Sequence, residues 1–201
     1  MIYRPRVWSA ASAVVIFCSF LALMPEAFAQ TKKPEPQKPA PAKTAPAPAN
    51  PAPVAQPTQL GSFGSWNVYA SDTANGRVCY ALALPKERLP ANLTRDPGYL
   101  FVSTRPNEKV RDEISFVLGF PPKDGADAQL VLGKASFLVS PTQGNVAWLK
   151  NAQDNAPVID QMKKTPSLSL KVTSKRGNAL TENYALAGFA QALDQVKKAC
   201  P

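Results

Sequence analysis

The chain has 201 residues, 45% of them apolar and 18% charged, with a net charge of +9, 21 prolines, three cysteines and no histidine. That length suits one domain with appendages better than two full domains. Without histidine, a Ser-His-Asp or Cys-His nucleophile system, a His-ligated zinc and a haem with a proximal His cannot be built from this chain alone, and neither an enzyme nor a cofactor is expected.

Arg4 and Arg6 precede an apolar run from Trp8 to Met24, and Pro25, Glu26 and the small-x-small triplet Ala27-Phe28-Ala29 follow it, ahead of Gln30. This is the pattern of a Sec-type signal peptide cleaved between Ala29 and Gln30. A retained anchor is the alternative, because this 17-residue segment sits at the short end of a membrane span. Pro25 favours cleavage by breaking the helix just before the site. Cys18 lies inside the apolar run behind bulky Ile16 and Phe17 and leaves with the peptide. The remaining chain carries 21 basic and 13 acidic residues, a net of +8, and two cysteines, Cys79 and Cys200. An even pair in an exported chain reads as a disulfide, with two free thiols as the alternative.

Nine of the residues from Pro34 to Pro57 are proline, interleaved with Ala, Lys and Gln. Such a stretch buries too little apolar surface to offset its ordering entropy and favours extended polyproline II. Lys32, Lys33, Lys38 and Lys43 against the lone Glu35 make this stalk basic. It therefore offers peripheral contact with an anionic membrane or cell wall, or serves as a solvated tether kept extended by its charge. The organisation read from the sequence is thus a signal peptide over 1–29, a disordered Pro/Ala-rich linker over 30–59, and one domain over 60–201.

Within the domain the apolar pattern is mostly of period two. Phe63–Ala70 reads as a strand with Trp66 and Val68 on one face, and Asn75-Gly76 as the positive-φ turn of a hairpin into Val78–Leu84. Pro85–Asn92 reads as loop, and Arg95-Asp96-Pro97-Gly98 as a turn with Gly98 at positive φ, leading into a strand over Tyr99–Thr104. Ile114–Phe120 is apolar throughout, as a strand buried on both faces would be. Gln129–Leu132 and Ala135–Val139 flank the Gly-first loop Gly133-Lys134, and Val146–Leu149 is a short strand. Val158–Lys164 suggests one or two helical turns. Ser167–Thr173 alternates strictly, and Lys175–Asn178 turns it into Leu180–Ala187. Phe189–Ala199 is an amphipathic helix with Lys197-Lys198 at the negative end of its dipole. The expectation is eight or nine strands in a mainly β domain, an antiparallel β-sandwich or flattened barrel, with a C-terminal helix packed on it and pinned by a disulfide.

The order of landmarks resembles the invasion-associated locus B family. The resemblance rests on Gly64–Tyr69, Val78-Cys79-Tyr80-Ala81, Arg95–Tyr99 through Ser103–Pro106, and Leu186–Asp194 ending at Cys200. It spans about residues 61–200. It implies a secreted or periplasmic alphaproteobacterial envelope protein with a mainly β domain and a part in host-cell invasion; outer-membrane association and envelope maintenance are further expectations for such a chain. It implies no established reaction. Many members carry a second Cys soon after the Trp, where Tyr69 and Ala70 stand here.

Candidate chemistry is sparse. Asp112-Glu113 is the adjacent acid pair of the domain, the type that serves glycoside hydrolysis when suitably spaced; strand neighbours point to opposite faces, and the pair reads as a solvated turn. Asp124, Asp127 and Asp154 lack the alternating ligands and closing Glu of a calcium loop. The basic pairs Lys163-Lys164, Lys175-Arg176 and Lys197-Lys198 are scattered over three elements without interleaved aromatics, so no nucleic-acid partner is expected. Trp66, Trp148, Phe137 and Phe189 read as core anchors rather than a ligand cage, and Asn92-Leu93-Thr94 fits a sequon that the bacterial origin implied by the resemblance leaves without a use. The expected function is an exported, non-enzymatic envelope module that binds an envelope or host-surface protein or glycan. The alternatives are a carboxylate-dependent hydrolase acting on cell-wall or glycan substrate, and a structural spacer.

Overall fold

The computed structural model describes residues 56–142 and 144–201. The expected signal-cleavage site, Ala29 and Gln30, and nearly all of the Pro/Ala stalk lie outside the described residues.

Eleven strands form one antiparallel sheet: β1 Thr58–Phe63, β2 Trp66–Thr73, β3 Gly76–Ala83, β4 Glu87–Leu89, β5 Tyr99–Arg105, β6 Val110–Val117, β7 Ala128–Leu132, β8 Ala135–Pro141, β9 Val146–Leu149, β10 Ser167–Thr173 and β11 Ala179–Ala185. Helix α1 is Asn155–Met162 and α2 is Phe189–Ala199. The strand order is β1-β2-β3-β5-β6-β9-β8-β7-β10-β11-β4, with β1 and β4 as free edges. The sheet does not close, but it folds over on itself. Phe116 of β6 meets Tyr184 of β11 edge-on, ring centroids 6.0 Å apart, although four strands lie between them in the sheet. The expected mainly β architecture with a C-terminal helix is therefore the observed one.

Alternation decides which residues face inward. Trp66, Val68 and Ala70 of β2, Cys79, Ala81 and Ala83 of β3, and Leu168, Leu170 and Val172 of β10 are all buried, each set spaced by two. The inner residues of β3 are small, which leaves room for α2. Its buried stripe of Phe189, Ala192, Leu193 and Val196 lies across β1, β2, β3 and β5, and Phe189 packs against Trp66 with centroids 4.9 Å apart. Full burial of each large apolar side chain in that stripe contributes about 1.5–3 kcal/mol. Lys197 and Lys198 sit in the last turn, where they favour the dipole. Arg111 donates to the carbonyls of Cys200 and Pro201 at 3.1 and 2.8 Å, satisfying acceptors at the end of the chain.

The disulfide joins Cys79 of β3 to Cys200 at the end of α2, with Cα atoms 5.9 Å apart and a sequence separation of 121. A closed loop of that length restricts the unfolded chain by about 4–5 kcal/mol in the chain-entropy account. The bridge fastens the last helix to a strand near the start of the domain.

Several local expectations change. β1 and β4 are strands that the pattern did not reveal. Both are edges, exposed over much of their length, so no buried alternation marks them. β1 also opens at Thr58, two residues before the expected boundary. The β2–β3 hairpin closes with Thr73 opposite Gly76, so Ala74-Asn75 forms the loop and only Gly76 takes positive φ. Gly98 does not adopt positive φ. A Cβ there would lie 2.9 Å from a Glu182 carboxylate oxygen, and glycine is required for close approach instead. The apolar run after Ile114 leaves the sheet at Val117. Leu118, Gly119 and Phe120 are buried in the connection that follows β6. Asp112-Glu113 lies within β6 at a bulge, half-buried, rather than in a solvated turn.

Candidate functional site

The sheet's fold-over brings the start of β11 and the edge strand β4 against the loops that lead into β5 and out of β6. A buried ion pair fixes this junction. Glu182 of β11 is fully buried. Its Oε1 lies 2.7 Å from Arg88 Nε and 2.5 Å from Nη2, and its Oε2 accepts from the Tyr184 hydroxyl at 2.8 Å. Burial and the adjacent Glu182 carboxylate hold the Tyr184 hydroxyl well above its ordinary pKa. Arg88 also donates to the carbonyl of Asp96 at 2.6 Å and of Leu118 at 2.9 Å. One guanidinium thus ties β4, β11, the Asp96 loop and the end of β6 together, a use of its fork that an ammonium could not reproduce.

The loop held in this way is one wall of a cleft of about 300 Å³. Gly119 makes the wall possible. It has φ +66°, the Asp96 amide donates to its carbonyl at 3.0 Å, and a Cβ built on it would lie 2.1 Å from the Asp96 carbonyl. The floor is Leu93, Phe120 and Leu180. The opposite wall is the β10–β11 turn, which carries Lys175 and Arg176. That turn is pinned as well: Ser174 and Asn178 exchange hydrogen bonds, and the Lys175 amide donates to the Pro121 carbonyl at 2.9 Å.

Three cations, Arg95, Lys175 and Arg176, line the cleft against one acid, Asp96. Arg95 donates to the carbonyls of Arg88, Leu89 and Pro90 and has no ion-pair partner among the described residues. Burial, then the nearby Arg88 charge, lowers its pKa, with Glu182 opposing. Lys175 reaches Asp124 at 3.4 Å with both groups largely exposed, and Arg176 has no ion-pair partner among the described residues. The result is a positively charged recess with an apolar floor and fixed walls.

No match was found when the chain was compared with family models, curated proteins and solved structures.

The other residues singled out in the sequence are dispersed. Asp112 pairs with Lys197 of α2 at 3.1 Å, whereas Glu113 pairs with Arg105 at 2.8 Å, so the adjacent acids serve different partners. Asp127 is held by Lys150 and Ser140, which lower its pKa. Asp124 meets Lys175, and Asp154 accepts from Asn151. Among the described residues no group of three or more potential ligands surrounds a metal position. Lys163-Lys164 and Lys197-Lys198 stay at helix ends, and only Lys175-Arg176 reaches the cleft. Asn92 is exposed in its loop. Trp66 and Phe189 are core anchors, as expected. Trp148 and Phe137 are half-buried.

Sequence reasoning missed Arg88, Glu182 and Tyr184, which come from distant strands. It also missed an aromatic ladder on the outer face of β2, β3 and β5. Tyr69 stacks on Tyr80 at 5.4 Å, Tyr80 meets Phe101 at 5.6 Å, and Phe101 meets Tyr99 at 6.1 Å. Their period-two spacing opposite the buried residues was the available signal.

Proposed function

We propose that this chain is an exported, non-enzymatic interaction module of the cell envelope, of the invasion-associated locus B type, that presents its domain to an envelope or host-surface partner. The Cys79–Cys200 disulfide carries the reading: a cross-link between a strand and the last helix forms and persists in an oxidising compartment such as the periplasm or the exterior. The signal-like segment ending at Ala29 and the basic, proline-rich stretch after it agree with that route. No helix among the described residues is long and apolar enough to cross a membrane. The cleft supports binding rather than hydrolysis. Its lining carries one carboxylate, Asp96, where carboxylate-only glycoside hydrolysis uses a pair.

Cell fractionation with thiol alkylation tests the compartment. The expected result is protein in the periplasmic or secreted fraction, begun at Gln30 by intact mass, with neither Cys79 nor Cys200 alkylated before reduction. Recovery from the cytosol with both thiols reactive would overturn the proposal. Retention of an envelope component by the immobilised oxidised chain tests the interaction role, and a column that retains nothing counts against it.

A further inference from the structure

We infer that the cleft between the Asp96 loop and the Lys175-Arg176 turn binds a ring-sized acidic sugar, a pyranose carrying a carboxylate or a phosphate. The assignment rests on the reading of the domain as a binding module and names the ligand class of its site. Three features of the recess converge on this chemistry. The first is charge. Arg95, Lys175 and Arg176 line the cleft against Asp96; Lys175 also reaches Asp124 at 3.4 Å, whereas Arg95 and Arg176 have no ion-pair partner among the described residues. A recess holding surplus positive charge selects an anion.

The second feature is the apolar floor. Leu93, Phe120 and Leu180 offer a surface for the C–H face of a pyranose, which a bare inorganic anion would leave wet. The third is hydroxyl recognition. Asp96, Asn145 and Asn178 line the same space, and none of their side chains is bonded to another described side chain. Those groups suit a polyhydroxylated ring; an acyl chain would bury them without partners at a cost. The volume, about 300 Å³, is at the small end of ligand clefts and fits a ring rather than a long oligomer.

The walls are preorganised, which reduces the ordering cost of binding. Arg88, anchored on buried Glu182, fixes the Asp96 wall, and the Pro121 carbonyl fixes the cationic turn. The anionic group sits toward Lys175 and Arg176, with the hydroxyls toward Asp96.

The test is an amide-resolved NMR titration of the purified, oxidised chain with galacturonic acid, glucose 6-phosphate and glucose at matched ionic strength. Saturating shifts confined to residues 94–96, 119 and 174–178 are expected with an acidic sugar, and none with glucose; the tighter of the two acids identifies the anionic group. The exposed double variant Lys175→Ala/Arg176→Ala weakens that binding by about tenfold or more with an unchanged Tm. Binding indifferent to the variant, or equal for glucose, overturns the inference. If neither acid binds while the immobilised chain still retains an envelope component, the ligand assignment falls and the interaction module stands. If nothing is retained either, both fall.

Discussion

Replacing Glu182 with Gln removes one charge from the buried cluster while preserving its shape and an acceptor for Tyr184. Arg88 is then left with a guanidinium whose side chain is only 19% exposed and whose remaining described partners are the carbonyls of Asp96 and Leu118. Breaking a buried pair by removing one charge costs about 3–5 kcal/mol where the survivor is stranded. The two carbonyls and the partial exposure of Arg88 reduce that to about 2–3 kcal/mol. Set against a typical stability of about 5–15 kcal/mol, the loss is large and measurable. Urea denaturation of the oxidised protein should show a lower midpoint with an unchanged m-value. A cycle with Arg88→Met separates the pair from its surroundings, because the double variant removes both charges and should recover part of the loss. A destabilisation under about 0.5 kcal/mol for Glu182→Gln, or strict additivity of the two substitutions, would refute the claim that this pair holds the junction.

Gly119→Ala is expected to destabilise by more than 2 kcal/mol, roughly, and to shift the amide of Asp96, because the new methyl meets the Asp96 carbonyl at a backbone with φ +66°; an unchanged urea midpoint and spectrum would contradict this. Cys79→Ala/Cys200→Ala removes up to about 4–5 kcal/mol, and hydrogen exchange should show α2 losing protection first; equal protection in both proteins would deny the bridge its role. Tyr184 gives a pH signature. The unfolded chain releases its phenol proton near pH 10 while the folded chain retains it, so stability is level below about pH 10 and falls above it by ~1.4 kcal/mol per pH unit from this group. Tyr184→Phe should lose that part of the alkaline slope in parallel urea titrations at pH 8–11.5, and identical slopes would show that the phenol is not held protonated by the fold.

The sequence by itself determined the period-two strands, the amphipathic last helix and the identity of most of the core. Burial on one face leaves an alternating record in each segment, as in Leu168-Ser169-Leu170-Lys171-Val172. It also offered Cys79 and Cys200 as the two cysteines of the domain. The edge strands β1 and β4 left no such record, since none of their residues is fully buried, and Leu60 and Phe63 of β1, which pack against the core, stand three positions apart rather than two. What only the tertiary structure decided is the cleft. Arg88, Glu182, the Asp96 loop and the Lys175-Arg176 turn lie on segments up to 94 positions apart, and the folding-over of an open sheet brings them together. A local pattern can mark a residue as inward or outward, but it carries no information about which strand will face it across the core.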